Sequence, residues 1–154
     1  INPNAARFLK PDLMPDKIAA YCKETGQPVP ETPGQIARCI YESLALRYKA
    51  TLDNMEHLIG RNISRLHIVG GGSQSSMLNQ FAASATGRTV FAGPVEATAC
   101  GNVLIQALAL GHLPNLAAAR EVVRTSFPIR KYQPEQPAEW QRAAEQFDTL
   151  DLNT

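Results

Sequence analysis

Three consecutive glycines, Gly70, Gly71 and Gly72, separate the apolar run Leu66, Ile68, Val69 from an amphipathic segment beginning near Met77, with Ser73 and Ser75 close behind. A glycine loop between a strand end and a helix start lets another molecule approach the main chain, because no Cβ stands over the peptide groups. The helix N-terminus adds N–H donors and a partial positive charge, which suits phosphate. Ser73 and Ser75 can cap the helix or donate to an anion. Open α/β sheets also bind ligands beyond the carboxyl ends of their strands. A tight strand-to-helix turn with no ligand explains the same local features, and both readings stand at this point. Two familiar nucleotide signatures are absent. The glycines are contiguous rather than spaced as GxGxxG, and no Gly-Lys-Ser/Thr follows them.

Other residue types that carry chemistry are scattered. Asp12, Asp16 and Asp53 fall at helix-flanking or surface positions, and His57, His67 and His112 are isolated. His67 alternates with Leu66 and Ile68, which makes it a structural strand residue. Cysteine, histidine and carboxylates do not recur at zinc-ligand spacing. Neither a catalytic residue nor a metal ligand is therefore assigned in this chain. Cys22 and Cys39 fall on successive helices where a bridge is geometrically conceivable. Three cysteines (the third is Cys100) otherwise fit buried thiols in a reducing compartment, the cytoplasm.

The elements that position the glycines follow from periodicity and punctuation. Residues 1–14 read as an extended, proline-punctuated entry. Pro15 opens a short helix with Ile18, Ala19 and Cys22 inward, closed by Gly26. After a connector at 27–31, Thr32 and Pro33 supply an N-cap and first-turn proline for a long helix. Its apolar positions are Ile36, Ile40, Leu44, Met55 and Leu58, and Gly60 stops it. A short strand of Leu66, Ile68 and Val69 leads into the glycines. Met77, Leu78, Phe81, Ala82 and Ala85 form the inner face of the next helix, ended by Gly87. Thr89 to Ala92 is a second strand. Gly93-Pro94 turns the chain into a small-residue helix from about Glu96 to Leu110, stopped by Gly111. Asn115 caps another helix through Val123, residues 127–132 are extended, and Trp140, Ala144 and Phe147 are the core face of a last helix. That order is α/β, with short strands and several packed helices.

The 154 residues suffice for one domain with a real core. With 44% hydrophobic and 19% charged residues the chain is globular, and a net charge of +1 gives no basic field for nucleic acid. The uncharged run Ala97 to Leu110 is too short and too interrupted to span a bilayer. The start Ile-Asn-Pro-Asn, without an initiator Met, reads as mid-chain, so a fragment is expected.

The run LHIVGGGSQSSMLNQFAASATGRTVFAGPVEATACGN resembles the C-terminal signature of the FGGY carbohydrate kinases: an apolar strand, GGGS, an amphipathic helix, TGR-V, then an acidic-small segment leading into an alanine-rich helix. The entry INPN…FL…MPDKIAAYCKETGQPVP, the segment IARCIYESLALRYKATL, GPVEATACGN and SFPIRKYQP are similar to the branch of that family that phosphorylates L-rhamnulose. The likeness runs from Ile1 to about Pro134, and it leaves open another FGGY sugar kinase, such as a fuculokinase or xylulokinase, or a non-catalytic interaction domain that keeps the fold. It implies part of an actin-like ATPase (ribonuclease H-like) domain that holds the nucleotide, residues 1–154 being its later portion. The sugar-binding N-terminal domain and the catalytic base would lie upstream. It also implies ATP or ADP with Mg2+ as cofactors, with nucleotide contacts at Gly70, Gly71, Gly72, Ser73 and Ser75. Gly71 is the first of these. Ser75 stands where many members carry Asn, with a shorter side chain that makes fewer hydrogen bonds. Glu96, Ala97 and Gly101 match a second family segment and read as helix start and close packing.

Overall fold

The computed structural model describes residues 1–151. Two helices come first, α1 (Met14–Glu24) and α2 (Pro33–Ile59). A βαβ unit follows: β1 (Arg65–Ile68), a 3-10 turn (Gly70–Gln74), α3 (Ser76–Thr86) and β2 (Thr89–Ala92). The chain then forms α4 (Ala97–Ala109), α5 (Leu116–Ser126), β3 (Arg130–Tyr132) and α6 (Pro137–Asp151). The sheet order is β1-β2-β3. β1 and β2 are parallel, with Leu66 opposite Val90, and β3 is antiparallel to β2, with Tyr132 opposite Val90. Parallel pairing needs a crossover, which α3 provides.

The helix boundaries obey their sequence signals. Thr32 and Gln35 form a reciprocal capping box, in which the Gln35 N–H donates to Thr32 Oγ1 at 3.3 Å and the Thr32 N–H to Gln35 Oε1 at 3.0 Å. Gly26 and Gly60 adopt the left-handed conformation just after α1 and α2, and Gly87 does so after α3. Asn115 caps α5 by accepting from the Ala118 N–H, and α5 continues to Ser126 rather than ending at Val123. The expected extended entry instead contains a 3-10 turn at Ala6–Phe8, and Ile1, Asn2 and Ala5 are buried.

Helix α3 covers one face of the sheet, and α2 and α6 pack on α3. Ala82, Ala83 and Val90 are fully buried there, with Tyr48, Leu66, Ile68 and Tyr132 packed around them. Alanine at the contact lets α3 approach both sheet and α2, where Ala45 is likewise fully buried. Phe147 and Ala144 of α6 close this layer beside Ala45, Leu46 and Ala85, with Trp140 tilted against Phe81. Three expected inward residues point outward: Met55 is 46% exposed, Leu58 83% and Met77 47%. The 27-residue α2 outruns the surface it packs on, so its last turns follow an apolar period without a partner layer. Helix α4 is the extreme case, since none of its residues is buried.

Candidate functional site

The two parallel strands leave the sheet side by side, and their exits are tied together. The Gly93 N–H donates to the Ile68 carbonyl at 2.8 Å, and the Gly70 N–H donates to the Pro94 carbonyl at 3.1 Å. The glycine turn therefore sits at the carboxyl ends of β1 and β2 and leads into α3. That is where an open α/β sheet offers a crevice and a helix N-terminus together.

Inside the turn the residues divide their work. Gly70 has φ +74, a left-handed conformation that favours glycine. Ser73 is buried, and its hydroxyl donates to the Gly70 carbonyl at 2.7 Å. Ser75 caps α3 by accepting from the Leu78 N–H at 3.3 Å, which leaves its own hydroxyl hydrogen to donate. Gly71 and Gly72 are exposed and lie outside the left-handed region. A Cβ added at Gly71 would meet nothing within 4 Å, and one at Gly72 would make only ordinary contact with Ile68 Cγ2 at 3.6 Å. Backbone strain thus accounts for one glycine of the three, and nothing inside the chain demands the other two. A missing Cβ there leaves the main chain open to an outside molecule.

Beside the turn lies a groove of about 580 Å3 on the sheet face opposite α3. Val69, Gly93 and Pro94 form its end nearest the glycines, and Arg65, Arg120, Arg124 and Lys131 line it. His67 belongs to this open face. It is exposed and stacked on Phe91, ring centroids 5.2 Å apart, rather than packed in the core. A separate cleft of about 350 Å3 between α1, α2 and α6 holds Cys22 and Cys39 and none of the glycines. Both thiols are free, and they neighbour one another: burial first, then Cys39, pushes the Cys22 thiol pKa up.

Of the remaining candidates, Glu96 is the N-cap of α4 but makes no capping hydrogen bond through its side chain. A Cβ at Gly101 would meet nothing within 4 Å, so the expected close packing there is not found among the described residues. Asp53 sits in an ion pair with Lys49 at 2.6 Å. Among the described residues no group of three or more His, Cys, Asp or Glu is placed to hold a metal ion. One residue of weight escaped the sequence reading. Arg88 donates to the Ile63 carbonyl at 2.8 Å and to the Thr86 carbonyl at 2.5 Å, and pairs with Glu56 at 2.6 Å. It thereby clamps the end of α2 and the approach to β1 onto the α3–β2 turn. Its place in TGR was visible, but Glu56 and Ile63 lie far away in sequence.

Residues 1–110 match the FGGY family of carbohydrate kinases, C-terminal domain. The chain belongs to that family. An FGGY C-terminal domain has the actin-like ATPase fold, and the α/β order observed here is in keeping with it. Among curated relatives, the rhamnulokinase of Bacteroides thetaiotaomicron is 50% identical over 143 residues, 93% of this chain and 30% of the relative. That of Enterococcus faecalis is 50% identical over 86% of this chain and 27% of its own length. That of an Enterobacter species is 47% identical over 96% and 30%. The chain thus spans less than a third of the length of these FGGY kinases. No helix among the described residues is long and apolar enough to cross a membrane.

Proposed function

We propose that this chain is the nucleotide-holding portion of an ATP-dependent kinase that phosphorylates the 1-hydroxyl of L-rhamnulose. The observation that carries the reading is the near-half identity to rhamnulokinases over almost all of the chain. The glycine turn supplies the local chemistry. Bound MgATP brings the γ-phosphoryl group and the charge-neutralising cation. Gly71 and Gly72 let the main chain lie against the nucleotide, Gly70 and Ser73 set the shape of the turn, and Ser75 offers a hydroxyl at the rim. The α3 N-terminus adds a partial positive charge. Phosphoryl transfer depends on positioning and charge stabilisation, and holding the nucleotide still is this portion's share.

The sugar contacts and the base that orients the sugar hydroxyl belong, in this proposal, to the larger part of the relatives' length that the chain does not span. The uncovered α4, with Val103 65% and Ile105 59% exposed, buries its apolar side chains against that part. An apolar helix is stable when another layer covers it. Work in the cytoplasm follows from a phosphorylated-sugar product and free thiols.

Two measurements test the reading. Calorimetric titration of this chain with ADP is expected to give binding. A coupled ADP-release assay with L-rhamnulose is expected to give no turnover from this chain alone, and turnover once it is joined to a sequence of the relatives' full length. Turnover by the chain alone, or an extended enzyme that ignores L-rhamnulose and takes another ketose, overturns the assignment.

A further inference from the structure

We propose that Asn79 is a positioning residue that locks the glycine turn from beneath, holding Gly71 and Gly72 in one geometry for the nucleotide; this rests on the reading of the turn given above. Asn79 lies in the first turns of α3 and is 0% exposed. Asparagine is a poor occupant of a buried helical position, because its amide competes for backbone partners and both polar ends need satisfying. Its Oδ1 is buried and has no hydrogen-bond partner among the described residues. Leucine has the same branching at Cγ and no polar atom to satisfy, although it is the larger side chain.

What the amide provides is a bond into the turn. Asn79 Nδ2 donates to the Ser73 carbonyl at 2.9 Å. The Ser73 hydroxyl donates to the Gly70 carbonyl at 2.7 Å, and the Gly70 N–H donates to the Pro94 carbonyl at 3.1 Å. Asn79, Ser73, Gly70 and Pro94 form one continuous chain of hydrogen bonds from the helix, through the turn, to the exit of β2. Gly71 and Gly72 lie between its two anchored members, Gly70 and Ser73. Unclamped, two exposed glycines sample a wide range of conformations and must be ordered when a ligand binds. Clamped, they are ordered beforehand, and affinity gains by that difference.

The test uses this chain with Asn79→Leu and Asn79→Asp. It reads amide hydrogen exchange at Gly71 and Gly72, the ADP dissociation constant and thermal unfolding. Asn79→Leu removes the bond to Ser73 together with the unpartnered oxygen. The larger leucine overpacks a closed site and takes a donor from the Ser73 carbonyl, so the unfolding temperature is expected to fall modestly, while exchange at the two glycines quickens by more than that fall accounts for and ADP binds about tenfold more weakly. Asn79→Asp supplies a pH signature that a packing role lacks. A protonated carboxyl can donate to the Ser73 carbonyl, whereas a carboxylate cannot. Protection of the glycines is expected at acidic pH and is lost as the carboxyl ionises. Parent-like exchange and ADP affinity in Asn79→Leu overturn the proposal. Should that variant not fold, pH-independent protection in Asn79→Asp overturns it. A parent chain that does not bind ADP, with exchange still dependent on Asn79, overturns the nucleotide reading and leaves the clamp standing.

Discussion

The main-chain N–H of Gly70 donates to the carbonyl of Pro94, 3.1 Å away across the exits of β1 and β2. The neighbouring link runs from the N–H of Gly93, the most crowded of the glycines, to the Ile68 carbonyl. Gly93 has φ +119, and a Cβ added there would lie 2.9 Å from the Pro128 carbonyl oxygen and 3.3 Å from Ile129 Cδ1. Gly93→Ala is expected to destabilise the chain by about 2–4 kcal/mol, combining left-handed strain with overpacking against backbone. Urea unfolding measures it; a loss under about 0.5 kcal/mol contradicts the clash.

The Glu56–Arg88 pair predicts acid sensitivity. The Arg88 hydrogen bond first, then the Ile63 N–H at 2.6 Å, holds the Glu56 carboxyl below its ordinary value of 4.5, against a smaller opposing effect of burial. A lowered folded pKa stabilises the fold above the ordinary value, and this contribution fades as pH falls through the lowered one. Glu56→Gln is therefore expected to be less stable than the parent near neutral pH, with the gap closing under acid. A gap that stays constant down to about pH 3 rules out the charge contribution.

The cysteines should differ in reactivity. Cys22 is 2% exposed, and burial and Cys39 both raise its thiol pKa, whereas Cys100 is half-buried on α4. The thiolate is the reactive form. Maleimide labelling at mildly alkaline pH, followed by peptide mapping, is expected to modify Cys100 first and Cys22 last. Early labelling of Cys22 in folded protein contradicts the packing of α1 on α2.

The parts of the fold legible in the sequence are those fixed by local stereochemistry. Thr32, Ser75 and Asn115 cap the helices that they precede, and Gly26, Gly60, Gly87 and Gly111 follow helix ends with positive φ. β2 has the bounds that its residues suggested, while Val69 falls just past the end of β1. Period alone could not tell which apolar residues find a partner. Met55, Leu58 and Met77 keep helical spacing yet face outward, because burial is decided by whatever lies opposite. The candidate site was legible as a glycine run, but its division was not. Only coordinates separate Gly70, which its own φ accounts for, from Gly71 and Gly72, which no internal contact requires. Arg88 and Asn79 were missed because each acts through main-chain carbonyls, which side-chain type and spacing do not reveal.

That division yields the sharpest contrast. Gly70→Ala places a side chain at φ +74 and is expected to lower stability by about 1–2 kcal/mol. Gly71→Ala meets no atom within 4 Å and no left-handed strain, so stability is expected to hold or to rise by up to about 1 kcal/mol. Gly71→Val goes further, setting a branched side chain on the exposed surface of the turn. With open space around it, the variant should still fold, and its ADP affinity should fall by tenfold or more because the nucleotide can no longer reach the main chain. In an enzyme of the relatives' full length, the same substitution should raise the KM for ATP much more than that for the sugar. If the glycines served only to make a turn, the order would reverse, with stability lost and affinity retained in whatever folds. Thermal unfolding and ADP titration on all three variants decide between the two, and a folded Gly71→Val protein that binds ADP like the parent removes Gly71 from the nucleotide site.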